Sequence, residues 1–143
     1  MKDKSVGVIG ASGQIGRHLC TALIARGWKV IPFSRSVRED GVFCWRKWSG
    51  EEEIDLEGLT SVINLSGEAI DQRWTKKRKD LFRKSRVDLT SKLSRAIVNS
   101  DVKVLLNASA TGIYGDRGDE CLPEGASAGR SYLAELCRDW ENA

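Results

Sequence analysis

The chain holds a single histidine, and its four cysteines, Cys20, Cys44, Cys121 and Cys137, stand far apart with no C-x-x-C pair among them. A structural metal centre needs such ligands at close spacing, so no metal is expected and the cysteines read as reduced thiols. Long apolar runs are missing too: none approaches the ~20 residues that span a bilayer. The opening MKDKSVG lacks the apolar stretch of a secretory signal. These absences point to a cytoplasmic chain without a membrane partner. No Gly-Lys-Ser or Gly-Lys-Thr follows a glycine-rich turn, which removes the phosphate loop of the nucleotide triphosphatases.

What is present is one domain's worth of chain, 143 residues, 41% hydrophobic and 30% charged, enough for a real core. Short apolar runs alternate with helical stretches. Ser5 to Ile9 is short and β-branched and reads as a strand buried on both faces. Gln14 to Arg26 carries Ile15, Leu19, Ala22 and Leu23 at helical spacing and stops at Gly27. Further strands are expected at Lys29 to Phe33, more weakly at Val42 to Trp45, then at Ser61 to Leu65 and Val102 to Ala108, with a long helix over Thr75 to Asn99. Strand, helix, strand, repeated, implies right-handed crossovers, hence an α/β fold with a doubly wound, mostly parallel sheet of five strands.

Between the first strand and the first helix lie three glycines at every third position, Gly10, Gly13 and Gly16. At the carboxyl end of a first parallel strand the chain must turn sharply, bring backbone close to a ligand, and start a helix packed on the strand. The free N–H groups of that helix's first turn favour an anion. The segment Gly10, Ser12, Gly13, Gln14, Ile15 and Gly16 is therefore the candidate cradle for a dinucleotide pyrophosphate. Its G-x-x-G-x-x-G spacing is one residue longer than the plain dinucleotide fingerprint.

The end of the second strand refines the ligand. An enzyme using NAD places an acid about 20 positions past the glycines, to accept the ribose hydroxyls. Here Ser34 and Arg35 occupy that place and no acid appears before Glu39. A 2′-phosphate would meet a hydroxyl and a guanidinium, so NADP(H) is expected over NAD(H), with Arg17 or Arg38 as helpers.

Four blocks in order, VGVIGASGQIG, VINLSGEAIDQRWTKKRKDLFRKSRV, NASATGIYGDRGDE and SYLAELCRDWE, resemble the epimerase-family proteins of the atypical short-chain dehydrogenase/reductase superfamily, relatives of the extended nucleoside-diphosphate-sugar epimerases. The resemblance implies a Rossmann domain with NADP(H) across its strand ends. It implies that Asn64, Leu65, Ser66 and Gly67 line the cofactor after the fourth strand, and that the segment from Ser109 to Tyr114 reaches the nicotinamide side. Members of the family are about twice this length, so residues 1–143 correspond to the N-terminal, C-terminally incomplete part of a dinucleotide-binding domain. An exposed fifth strand would then favour marginal stability or a homodimer.

Ten Lys or Arg stand between Arg73 and Arg95, against Asp80 and Asp88. On a regular helical wheel centred on Phe82, the inward stripe holds Ser85, Arg86, Leu89, Leu93 and Ala96, and most other basic residues form a solvated surface. A nucleic-acid surface would need aromatic platforms beside the charges, and Trp74 alone does not supply them. In extended short-chain enzymes this helix presents an asparagine inward; here the matching SRVDLT has none. Arg86 meets either an anionic substrate or cofactor phosphate, or a buried carboxylate.

The usual tyrosine with a lysine four residues later is missing, because Gly118 follows Tyr114 and Leu136 follows Tyr132 at that spacing. Ser109, with Thr111 as substitute, is the candidate hydroxyl for orienting a substrate oxygen, the alternative being a bond to backbone or to a cofactor amide. Arg86 is the candidate for electrostatic stabilisation. Two functions remain: an NADP-dependent oxidoreductase or epimerase-like enzyme on a small polar or nucleotide-linked substrate, or a non-catalytic NADP(H)-binding regulator or sensor.

Overall fold

The computed structural model describes residues 4–36 and 41–143. Arg38, expected as a helper, lies outside the described residues. Five strands, β1 (Ser5–Ile9), β2 (Lys29–Ser34), β3 (Arg46–Lys47), β4 (Ser61–Asn64) and β5 (Val104–Asn107), form one parallel sheet in the order β3-β2-β1-β4-β5. The helices are α1 (Gln14–Ala25), α2 (Lys76–Arg83), α3 (Leu89–Val98) and α4 (Tyr132–Glu141), with a short 3-10 turn at Thr111–Tyr114. This is the Rossmann-type α/β sheet that the alternation predicts. Among the described residues no helix is long and apolar enough to cross a membrane.

Alternation along β1 assigns the two faces. Val6 and Val8 pack with Cys20 and Leu23 of α1, whereas Ile9 joins Phe33, Val62 and Leu93 of α3 on the other side. Gly7 sits on the second face because Leu59 and Phe33 close over it, and a Cβ there would lie 2.8 and 2.9 Å from them. A third cluster, Phe82, Val87, Leu136 and Trp140, joins α4 to the end of α2. Ser131 caps α4 by accepting the N–H of Ala134 at 3.2 Å, and Thr75 caps α2 by accepting that of Arg78 at 3.3 Å.

Three expectations change. The third strand is not Val42 to Trp45 but the two residues after it. Phe43 and Trp45 pack edge to face at 6.1 Å and lean on the cluster around Val6 and Val8, so their apolar character reflects packing rather than strand pairing. Ile15 does not face inward: it is 73% exposed, and the small residues Gly16 and Cys20 carry the buried face of α1 instead. The long helix is broken by a π turn, Lys84–Asp88, between α2 and α3. Hydrogen bonding five residues apart adds a residue to the turn, which brings Val87 and Thr90 into the interior and leaves Arg86 half-buried. At the sheet edge, β5 leaves Val104 and Leu106 exposed.

Candidate functional site

The site begins where β1 ends. Gly10 takes φ +81°, open chiefly to glycine, and β4's exit passes so close that a Cβ on Gly10 would fall 2.8 Å from the backbone carbon of Leu65. Gly16 closes the turn from the helix side: a Cβ there would approach the Gly10 carbonyl oxygen to 2.3 Å. The N–H of Gly13 is used by the Gly10 carbonyl at 3.0 Å. α1 starts at Gly13 without a side-chain cap or an acidic residue in its first turn. The N–H groups of Gln14, Ile15 and Gly16 thus have no acceptor among the described residues, and the helix dipole adds to their pull on an anion.

A cavity of about 310 Å³ opens over this turn. Gly10, Ser12 and Gly13 line its floor, Ser34, Arg35 and Ser36 one side, and Leu65, Ser66, Gly67, Glu68 and Ser85 another, with Phe33, Trp48, Ser49 and Leu89 completing the wall. Of the sequence candidates, the structure therefore brings together Gly10, Ser12, Gly13, Ser34, Arg35, Leu65, Ser66 and Gly67. Gln14, Ile15 and Gly16 stand next to it at the helix start. The exposed Arg35 guanidinium has no hydrogen-bond or ion-pair partner among the described residues. Arg17 is turned back instead, its Nε donating to the Ser12 carbonyl at 3.0 Å.

Asn64 is not on the cavity wall. It is fully buried, its Nδ2 donating to Thr90 Oγ1 at 3.1 Å and Asn107 Oδ1 at 2.6 Å, and its Oδ1 accepting the N–H of Ser66 at 3.1 Å. It acts on the site by fixing the turn that follows β4. Ser85 fixes the same turn one step further on, its Oγ accepting the N–H of Glu68 at 2.9 Å and donating to the Phe82 carbonyl at 3.1 Å. The Glu68 carboxylate is held by Arg78 at 3.2 Å.

Arg86 lies behind Gly67, where a Cβ would come within 2.9 Å of Nη2. Its guanidinium carbon stands 5.3 Å from the centre of the Trp140 ring, and Nη1 reaches Ser85 Oγ at 3.4 Å. No carboxylate pairs with it among the described residues, and burial lowers its pKa from the ordinary value. Ser109 and Thr111 stand apart from this group. Both are exposed and neither lines the cavity; Ser109 Oγ donates to Glu141 of α4. Tyr132 donates to the Lys79 carbonyl at 3.1 Å, and Tyr114 to that of Glu124 at 3.4 Å.

Sequence reasoning missed Trp48 and Ser49. The segment after β3 reaches the cavity because β3 pairs with Phe33 and Ser34, and no motif marks it. It also missed Glu68, which only the turn geometry brings to the wall.

The sequence profile of the NAD dependent epimerase/dehydratase family matches residues 6–133. An epimerase family protein of Mycobacterium leprae is 38% identical over 141 residues, covering 96% of this chain and 46% of that protein. The chloroplastic SDR39U1 homolog of Arabidopsis thaliana is 35% identical over 149 residues, covering 96% of this chain and 43% of its own length. The chain thus spans about half the length of these curated relatives. Among solved structures, the nucleoside-diphosphate sugar epimerase of Corynebacterium glutamicum superposes with a TM-score of 0.84 at 34% identity, covering 96% of this chain and 29% of that one. Human epimerase family protein SDR39U1, solved with NADPH, has the same fold, with a TM-score of 0.84 at 23% identity over 96% of this chain and 48% of that one.

Proposed function

Since the chain belongs to the NAD dependent epimerase/dehydratase family, we propose that it binds NADP(H) and serves an oxidoreductase or epimerase-like reaction on a small polar or nucleotide-linked substrate. The observation that carries the choice of cofactor is Arg35. Its guanidinium, without a partner among the described residues, stands beside Ser34 and Ser36 on the cavity side that follows β2, where an NAD enzyme would set a carboxylate. Glu68 is the one carboxylate among the described lining residues, it follows β4, and it is engaged by Arg78.

The residues present suit a dinucleotide. The Gly10 to Gly16 turn offers free N–H groups and room that a Cβ would fill, and Arg35 offers a fork for a 2′-phosphate. When bound, the nicotinamide supplies a hydride acceptor or donor. In this reading Arg86 stabilises negative charge developing on a substrate oxygen, and Ser109, or Thr111 in its place, orients that oxygen after exchanging its Glu141 partner.

A second reading, a non-catalytic NADP(H)-binding regulator or sensor, is favoured by one observation: the Tyr132 and Ser109 hydroxyls are both committed to protein acceptors. Loss of NADPH absorbance against a library of carbonyl compounds separates the two.

The cofactor assignment is tested by calorimetry with NADPH and NADH. NADPH is expected to bind more tightly by about 1–3 kcal/mol, and Arg35→Asp to reverse the order. Equal affinity of the unaltered chain for both would overturn the assignment.

A further inference from the structure

We infer that Arg86 makes this site distinguish the two redox forms of the cofactor, retaining NADPH, whose nicotinamide ring is uncharged, in preference to NADP+, whose nicotinamide ring carries a positive charge. The inference rests on the dinucleotide reading above and concerns the opposite end of the same ligand from Arg35.

The sheet order sets the direction of the ligand. In a Rossmann-type sheet the pyrophosphate lies at the first strand's turn and the adenosine ribose is read after the second strand. β1 lies between β2 and β4, so the other nucleoside extends toward the exit of β4. Gly67, Glu68 and Ser85 line the cavity there. Arg86 backs that wall directly, with its Nη2 2.9 Å and its Cζ 3.0 Å from where a Cβ on Gly67 would sit.

What makes Arg86 unusual is that no carboxylate forms an ion pair with it among the described residues. Its close contacts are a neutral hydroxyl, Ser85 Oγ at 3.4 Å, and the Trp140 ring at 5.3 Å. The Glu68 carboxylate bears on it electrostatically, and that carboxylate is already paired with Arg78 at 3.2 Å. The other titratable groups that respond to its field, Tyr132 and Cys137, are held protonated chiefly by burial. A half-buried cation is screened less than an exposed one, so its field reaches a neighbouring ring.

The two redox forms share adenosine, pyrophosphate and 2′-phosphate, and differ at the nicotinamide by a hydride and a unit of charge. A residue that reads the phosphates must change the affinity for both forms alike. A residue that reads the ring charge must change their ratio. Arg35 and Arg86 are thereby assigned to different measurements on the same protein.

The test is separate calorimetric titration of the 143-residue chain with NADPH and with NADP+, each variant first checked for an intact thermal melt. The unaltered chain should prefer NADPH by about 10-fold, the order expected of one weakly screened like-charge repulsion in a partly desolvated site. Arg86→Gln should bring the ratio close to one, Arg86→Lys should keep most of it, and Arg35→Ala should weaken both forms by the same factor. An unchanged ratio in Arg86→Gln, or tighter binding of NADP+ by the unaltered chain, overturns the inference while leaving the cofactor assignment standing. Binding of neither form overturns both.

Discussion

Asn64 and Thr90, 26 positions apart in sequence, share a buried hydrogen bond of 3.1 Å from Nδ2 to Oγ1. The same threonine oxygen accepts the Trp140 Nε1–H at 3.0 Å and donates to Asn107 Oδ1 at 3.3 Å. One hydroxyl thus joins β4, β5, α3 and α4, and through Asn64 it holds the Ser66 turn at the cavity rim. Thr90→Val preserves the shape but deprives two buried donors of an acceptor, which should lower stability by about 1–3 kcal/mol. Thr90→Ser should restore most of it. Denaturant midpoints measure both, and an unaltered midpoint for Thr90→Val would mean that the network contributes nothing.

Gly16 gives a sharper test of the cradle. A methyl group there meets the Gly10 carbonyl oxygen and the Ala11 backbone, the last at 2.7 Å, and backbone cannot rotate away as a side chain can. Gly16→Ala should therefore displace α1 from β1 at a cost of about 1–3 kcal/mol, and lose NADPH affinity by more than the fall in stability explains. Retained affinity in calorimetry would show that the turn tolerates a wider helix start and that its tightness does not serve the ligand.

β1, β2, β4, β5 and α1 are legible in sequence because each is a short apolar or periodic run bounded by glycine or a change of period. The cradle is legible for the same reason: Gly10 and Gly16 are demanded by backbone contacts between adjacent elements. What is not legible depends on contacts across the sheet. β3 consists of Arg46 and Lys47, paired with Phe33 and Ser34, and its residues carry no strand signature. The π turn displaces the buried face of α2 and α3 by one residue, so a regular wheel finds Phe82 and Leu93 but passes over Val87 and Thr90. Ser109 is placed by its bond to Glu141, 32 residues on, a distance at which no local pattern operates.

Glu52 gives a pH test beside Ser49, which lines the cavity. Its carboxylate accepts the Ser49 hydroxyl and, at 2.9 Å, the Ser49 N–H, and its backbone oxygen accepts Trp48 Nε1–H at 3.0 Å. The hydroxyl is the main cause that holds its pKa down at about 2, from the ordinary 4.5. Because the folded value is depressed, whatever the contact contributes is fully present above 4.5 and lost as pH falls through about 2. Carboxyl chemical shifts followed by NMR should show this midpoint. Ser49→Ala should move it back toward 4.5; a midpoint insensitive to that change would remove Ser49 as the cause.

Tyr132 should not act as a proton carrier. Burial, the main effect, and the nearby Asp80 raise its pKa above the ordinary 10.0, while Arg86 and Arg83 pull the other way without prevailing. Lowering a phenol's pKa toward neutrality takes a fixed positive charge at the oxygen. The nearest lysine, Lys79, sets its Nζ over the ring at 4.5 Å from the centroid, while its backbone carbonyl receives the phenol proton at 3.1 Å. The second contact is that of a protonated tyrosine. Any stability that the raised value confers is complete below pH 10 and fades as pH climbs through it. The ultraviolet difference titration between the unaltered chain and Tyr132→Phe should therefore show the Tyr132 phenolate only above pH 10, and the replacement should leave NADPH affinity and any turnover largely intact. A phenolate forming near neutral pH, or turnover lost in Tyr132→Phe with cofactor affinity preserved, would give a proton-transfer role to this tyrosine and overturn the reading that places the chemistry on Arg86 and Ser109.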